Sequence, residues 1–462
     1  MRKNRAVYLL LALALVAAAC GDSAGDTTTT AAVATTTTAP AATTAPPETT
    51  MALPAVDIGV DFEAGKIYVG MLSDLTGPFG PLVTPIVDGH SVYWENVNAN
   101  GGINGLEVEL VVKDTQYIPD NHVQFYGELK EEVVAFGHST GSPHTMAIRE
   151  ALEADGILAV PLTWYSGWSD PALNSNLVPH GAPYCIEAMN VLEYLSKKFE
   201  ADNGAKPSLA IVSVPGDYGL DSAIGAALAA AALGLEVVYD GTGKVIPPAA
   251  GTTFDPTEFV TGIVGSQADI AFVTATPGTF SGIYGGSLAQ GFEGIWSGAA
   301  PSWNPAFIGP DSPIRGGIAR DFWGSAYISP WSSDAPGMKE LRDLFAELRP
   351  DAPAHDYYGE GFVEASILHA ALQKAYDNGD LTQAGVVAAA KSLENVDFGG
   401  IGPAETYVGE PNDRLQRQSL MFRPDPADLD AGGSGTTVVE DFFTSDIAAA
   451  YEFTGACYKL EG

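Results

Sequence analysis

Cysteine is scarce in this chain, with three in 462 residues. None sits in a Cys-x-x-Cys pair, and the seven histidines are scattered along the sequence. Nothing in that spacing marks a metal centre, and no cofactor is expected. Positive charge is also short. Lys and Arg total 22 against 57 Asp and Glu, a net charge of −35. Phosphate recognition needs clustered Lys and Arg, so nucleic acid is not expected as a partner. Such acidity suits a highly solvated, exported surface. Long apolar runs are missing beyond the N-terminus. The Ala- and Leu-rich stretch 220–238 is broken by Asp221 and by glycines, so it reads as a buried helix. Gly241-Thr242-Gly243-Lys244 is not a phosphate loop, because the upstream Gly spacing and the following Ser or Thr are lacking. No repeat of 20–50 residues is evident.

Both ends of the first 57 residues carry information. Met1-Arg2-Lys3-Asn4-Arg5 is basic, and Ala6 to Ala19 is apolar but too short to span a bilayer comfortably. The junction Ala17-Ala18-Ala19-Cys20-Gly21 resembles a bacterial lipobox, in which Cys20 is diacylated, although position 17 is more often Leu. The alternative is an ordinary secretory signal cut near Ala19. Residues 1–19 are therefore expected to be a lipoprotein signal peptide. Asp22 to Thr50 is mostly Thr, Ala and Pro. It cannot bury enough apolar surface to offset its ordering entropy, so 20–57 reads as a disordered tether. A Thr-rich stalk of this kind resembles those of Gram-positive actinobacterial lipoproteins. The expected location is the outer face of the cell membrane, held there by lipid.

From about Ile58 the pattern is strand then helix, repeated. Apolar or β-rich runs fall at 67–72, 106–112, 133–136, 157–160, 209–214, 236–239, 270–273 and 294–297. Helix-like segments lie between them, clearest at 85–100, 121–132, 144–154, 186–200 and 220–232, with a further long one from about Asp356 to Asn378. Alternation of this kind implies an α/β fold with parallel sheets and right-handed crossovers. The length implies two lobes.

Leu75-Thr76-Gly77-Pro78, followed by Asn98-Ala99-Asn100-Gly101-Gly102-Ile103-Asn104-Gly105, is the most informative pair of motifs. Its first loop follows the strand at 67–72, and ligands of open α/β sheets bind at such strand ends. Both motifs and their separation resemble the Leu/Ile/Val-binding-like family of periplasmic substrate-binding proteins, the capture components of ABC importers. The resemblance implies a type I periplasmic binding fold, with two doubly wound parallel-sheet lobes joined by a three-stranded hinge. The crossovers would fall near Pro183, Tyr327 and Gly402, giving lobe I as 58–182 plus 328–402 and lobe II as 183–327 plus 403–462. Binding without catalysis is implied, by a monomer that closes on a small molecule and docks on ABC permease subunits. Cys185 and Cys457 fall in the same lobe and either pair or stand as two buried thiols.

The site residues follow from the same resemblance. Phe79 and Leu82 follow the first loop, and Leu82 stands where branched-chain amino-acid binders carry an aromatic residue. Gly137-His138-Ser139-Thr140-Gly141 matches the G-x-S-x-G elbow of α/β-hydrolases. Ser139 would be the nucleophile, followed in order by Asp351 and His355, but no His-Gly-Gly-Gly oxyanion loop occurs. The binding-protein family instead uses hydroxyls and helix amides here to hold a carboxylate, which implicates Ser139, Thr140, Gly141 and Ser142. Thr163 and Trp164 follow the next strand, Trp164 as core or as an aromatic wall. Tyr218 would close over the ligand from the second lobe, and Thr276, at the next strand end, would contribute from the same side. Branched-chain amino-acid binders hold the ammonium with a Glu in the loop near 298–303. This chain has Gly298-Ala299-Ala300-Pro301-Ser302-Trp303 there, with no acid. The expected ligand is thus an amino acid or a related amide or carboxylate, with Trp303, Trp164 and Phe79 able to enclose something larger or less polar. A secreted hydrolase, a ligand-sensing lipoprotein and a purely structural surface protein are the alternatives.

Overall fold

The computed structural model describes residues 53–460 apart from 174–175 and 249–251. Cys20, the signal segment and nearly all of the tether lie outside those residues. Strands and helices then alternate: β1 (Val60–Asp61), β2 (Lys66–Ser73), α1 (Gly80–Ala99), β3 (Glu107–Asp114), α2 (Pro119–Leu129), β4 (Ala135–Thr140), α3 (Ser142–Asp155) and β5 (Ala159–Leu162). The chain continues through α4 (Tyr184–Asn203), β6 (Leu209–Ser213), α5 (Gly216–Leu233), β7 (Val237–Gly241), α6 (Thr257–Ser266), β8 (Ile270–Thr274), α7 (Pro277–Ala289) and β9 (Ile295–Ser297). After α8 (Arg315–Asp321) and β10 (Gly324–Ala326) come α9 (Pro336–Leu348), α10 (Tyr358–Asp377), α11 (Gln383–Ala390), β11 (Ser419–Pro424) and β12 (Thr436–Phe443). Among the described residues no helix is long and apolar enough to cross a membrane.

Two parallel sheets organise the chain. The first runs β3-β2-β4-β5, with β1 added antiparallel at the start of β2. The second runs β7-β6-β8-β9. The central strands of the second sheet, β6 and β8, are buried from end to end and are almost wholly apolar, as strands covered on both faces are. Helix α10 returns the chain to the first sheet. Its Leu368, Ala371 and Leu372 share a core with Ile67 and Val69 of β2 and Val92 of α1. A third sheet, β10-β11-β12, is antiparallel. It was not anticipated from the sequence.

The Asn- and Gly-rich motif has a plain structural task. Asn98 exchanges two hydrogen bonds of 2.8 Å with the backbone of Val108, fixing the end of α1 to the start of β3. Gly102 takes φ +60°, and a Cβ there would lie 2.0 Å from the Leu106 carbonyl oxygen. No other residue fits that turn. Ile103 is fully buried beneath it.

Near the N-terminal end of the description, Ala55 pairs with the turn after α10. Its N–H donates to the Gly379 carbonyl, and its own carbonyl accepts from Leu381. The last residues assigned to the tether are therefore packed on the folded body.

Candidate ligand cavity

Three loops at the carboxyl ends of β2, β3 and β4 build the first wall of a cavity. After β2, the carboxylate of Asp74 accepts from the N–H groups of Gly77 (2.6 Å) and Phe79 (2.8 Å), which sets the Phe79 ring. Asp114 does the same one strand over, accepting from Leu75, Gln116 and the Thr76 hydroxyl. Burial pushes its pKa up, but those donors outweigh it and hold the group below the usual carboxylate range. Gln116 and Tyr117 then adopt φ +55° and +54°, uncommon for residues with side chains. That kink packs the Tyr117 ring on Phe79 and His144, at 4.9 and 4.1 Å between centroids. After β4, Gly141 takes φ +95°, and a Cβ on it would lie 2.6 Å from the Tyr117 ring. Only glycine lets α3 begin here.

The second wall comes from the other sheet. Tyr218 opens α5 just after β6, and its hydroxyl is held by Ser302 (3.0 Å) and the Ala275 carbonyl (3.2 Å). Its ring meets Tyr184 at 4.9 Å and Phe79 edge-on at 6.5 Å. The Phe79–Tyr218 contact joins a loop of the first sheet to a helix start of the second. Between these walls lies a cavity of about 480 Å³ of non-atom space, part of it open to solvent, floored by Thr140, Gly141 and Ser142 and flanked by Trp164, Pro301 and Tyr357. Leu82, Val83 and Ile86 of α1 make one side apolar.

The sequence-predicted residues divide into three groups. Phe79, Leu82, Thr140, Gly141, Ser142, Trp164 and Tyr218 line this cavity together. Thr163 stands behind, its hydroxyl bonded to that of Ser142. Trp303 lines a second, adjoining cavity instead. Ser139 and Thr276 line neither. Ser139 is fully buried and bonded to His122 (3.0 Å) and Thr145 (2.8 Å), and Thr276 is bonded to Thr279. The Ser139–His122 contact is a Ser–His pair, yet Nδ1 of His122 has no hydrogen-bond partner, so no carboxylate orients it. His355 instead accepts from the Tyr357 N–H.

Tyr117, Tyr184, Pro301 and Tyr357 also line the cavity and were missed. Tyr117 was reachable, since it follows the end of strand β3. The fold also gathers histidines that looked scattered. His138 lies between Glu364 of α10 (Nδ1, 2.8 Å) and Thr140 (Nε2, 2.6 Å), and His90 of α1 approaches the same Glu364 oxygen at 3.3 Å. Burial pushes Glu364 up, but His138 and His90 dominate and bring its pKa to about 2. Burial keeps His90 below its ordinary value. This Glu–His–Thr chain anchors the Thr140 hydroxyl of the cavity floor to α10.

Glu187, near the start of α4, is a second support. It accepts from the Ala300 N–H (2.9 Å) and from the hydroxyls of Ser325 and Tyr327 (both 2.5 Å). The loop 298–303 lacks an acid of its own, and this carboxylate lies beneath it.

Several buried acids around the cavity bind protons in the folded chain that the unfolded chain releases. Burial raises Glu187 and Asp217 to about 7, Asp221 to about 6 and Glu405 to about 8. Their ordinary values are 4.5 for Glu and 3.8 for Asp. Between those limits the folded state holds more protons, so stability falls as pH rises. His180, for which burial is outweighed by Glu360, is raised from 6.5 to about 9. Its contribution is full below 6.5 and is lost on the way to 9, the same sign. Glu364 acts oppositely, losing its contribution as pH falls from 4.5 towards 2. Burial also lowers His90, His122, His144 and His369, which hold fewer protons folded than unfolded and so add stability as pH rises towards 6.5. Above 6.5 only the raised groups act, so the melting temperature should drop by several degrees from pH 6.5 towards pH 9. A circular-dichroism melting series at constant ionic strength checks this, and a Tm that rises from pH 6.5 to 9 contradicts it.

Comparison with known proteins places the chain. Residues 66–430 match the family model described as periplasmic binding protein. The chain is 27% identical over 359 residues to the chemotactic signal transduction system substrate-binding protein BasB of Halobacterium salinarum, covering 74% of this chain and 77% of that protein. It is 23% identical to Leu/Ile/Val-binding protein homolog 7 of Brucella abortus, over 80% of this chain and 92% of that one. Among solved structures, a fatty acid ABC transporter substrate-binding protein from Thermomonospora curvata superposes with TM-score 0.77 and 28% identity, over 87% of this chain and 98% of that one. A valine-bound branched chain amino acid ABC transporter protein from Thermus thermophilus gives 0.69 at 18% identity, over 83% and 97%. The chain belongs to the periplasmic binding protein family.

Proposed function

We propose that the protein captures a small apolar carboxylate in the cavity between its two parallel sheets and delivers it to an ABC permease. The two sheets are then the cores of two lobes, 58–182 with 328–402 and 183–327 with 403–462. Closure of those lobes is driven by a ligand that touches both. The observation that carries this reading is the cavity itself, lined from the strand ends of both sheets, with Phe79 and Tyr218 in contact across it. The carboxylate sits at the Thr140 and Ser142 hydroxyls and the first turn of α3, and the aromatic rings enclose the apolar body. A zwitterionic amino acid fits less well. No acid lines this first cavity to pair with its ammonium, so the charge would face only the rings that enclose the apolar body. The fatty-acid protein from Thermomonospora curvata, at 28% identity, supports the apolar choice.

Cys20 carries the lipid that holds the protein at the outer face of the membrane, and the stretch between it and the folded body is its tether. The protein acts as a monomer and without catalysis. Ser139 is buried and its histidine lacks an acid, so a fluorophosphonate probe should leave it unlabelled. A sensing role is the second reading, favoured by the named chemotactic function of the relative in Halobacterium salinarum.

Calorimetry with a panel of carboxylates and branched-chain amino acids tests the site. Thr163→Val removes the partner of the Ser142 hydroxyl and should weaken binding by about 1–3 kcal/mol. Tyr218→Ala should weaken it more, because a large ring leaves the wall. Unchanged affinity in both variants, with the fold intact, puts the site elsewhere.

A further inference from the structure

The cavity described above is one of two that meet. The second holds about 560 Å³ of non-atom space, part of it open to solvent, and shares Trp164 and Tyr357 with the first. The backbone links them as well, since Ala300 lines one and Pro301 the other. We propose that the second cavity receives the far end of the same ligand, so that the bound molecule is an elongated monocarboxylate with an apolar tail. This inference rests on the first cavity holding the carboxylate.

The chemistry of the second cavity is that of a tail site. Ala326, Ile328, Trp303, Pro305, Leu420 and Phe422 supply its apolar surface. Its two acids are already engaged. Asp356 accepts from the Trp331 N–H and the Thr436 hydroxyl, both at 2.6 Å. Glu360 is paired with the buried His180. Neither is left to attract an ammonium group, and neither stands unpaired against a hydrocarbon.

Trp164 is the partition. Its indole stacks on Tyr327 at 4.4 Å and meets His180 and Tyr184 edge-on at 5.8 and 6.1 Å. Its Nε1 has no hydrogen-bond partner among the described residues. Ring contacts and core packing, with no hydrogen bond, hold the indole, and a turn of its side chain would join the two spaces. Gly181 lies close on that edge, since a Cβ there would lie 2.8 Å from Nε1.

Chain length is the readout. Each methylene moved from water into such a space is worth about 0.8 kcal/mol, or about fourfold in affinity. Calorimetry on the purified protein with hexanoate and decanoate should show decanoate tighter by on the order of a hundredfold. Ala326→Phe fills the second cavity and should collapse that ratio towards one. Ala326→Val, which adds less bulk, should lower it partway if the Phe variant fails to fold. Equal affinities for the two acids in the unmodified protein would overturn the tail site, as would a ratio that survives both substitutions. Failure of the first cavity looks different, with Thr163→Val and Tyr218→Ala leaving the binding of either acid untouched.

Discussion

Glu364→Ala should destabilise the protein by about 3–5 kcal/mol, because it removes the central acceptor of a fully buried hydrogen-bonded network. Glu364, His138 and His90 are each inaccessible to solvent. Removing the carboxylate leaves Nδ1 of His138 facing a void where it now has a partner at 2.8 Å. Helices α1 and α10 and strand β4 meet at this point, so the loss is felt across the first sheet. Urea unfolding followed by tryptophan fluorescence gives the number. Glu364→Gln keeps the volume and one acceptor, and its loss should be smaller. An alanine variant that unfolds at the same urea concentration as the unmodified protein would show that the network contributes nothing. Thr140 extends the effect to function. Its hydroxyl is bonded to His138, so weakened ligand binding should accompany the stability loss in both variants.

Losing the disulfide is the second large effect. Cys185 and Cys457 are bonded, 272 residues apart in sequence. A loop of that length constrains the unfolded chain by about 5 kcal/mol in the chain-entropy model, and measured losses on removing native disulfides run about 2–5 kcal/mol. The bond holds the chain end against both sides of the cavity region. Cys457 donates its N–H to the Ser166 hydroxyl, Tyr458 donates to Asp221, and the Tyr458 carbonyl accepts from Tyr165. Cys457→Ser should lower the unfolding midpoint accordingly, and reductant should do the same to the unmodified protein. Thiol titration of the denatured, unreduced chain decides whether the bond forms. Two reactive thiols from Cys185 and Cys457 would refute it.

The parallel strands were legible because each is a short apolar run between helix-length segments. Leu209–Ser213 and Ile270–Thr274 fall within one residue of their expected bounds. Helix α1 begins at Gly80, five residues before the expected start at Pro85, which lies inside it. Pro85 is the sixth residue of the helix, past the first turn, so it gives up an i→i−4 hydrogen bond, and the sequence pattern treated it as a start signal. The antiparallel sheet was not legible. Its strand β10 is three residues long and pairs with β11 nearly a hundred positions later. No local pattern encodes such a pairing.

Site residues divided for a related reason. Successive side chains of a strand point to opposite faces. His138 and Thr140 of β4 therefore share one side, which carries them to Glu364 and the cavity. Ser139 points the other way, to His122 of α2 and Thr145 of α3. That alternation was available in the sequence and separates the hydroxyl that lines the cavity from the one resembling a nucleophile. The second cavity was not available, because it needs β10, β11 and the loop after β9 brought together in space.

Mass spectrometry of small molecules released from the purified protein tests the central claim most directly. The account predicts a near-stoichiometric apolar monocarboxylate, lost or reduced in the Tyr218→Ala protein. A stoichiometric zwitterionic amino acid would contradict the ligand class. A protein that releases nothing, and that no carboxylate or amino acid stabilises against heat, would contradict the account of it as a solute-capture protein.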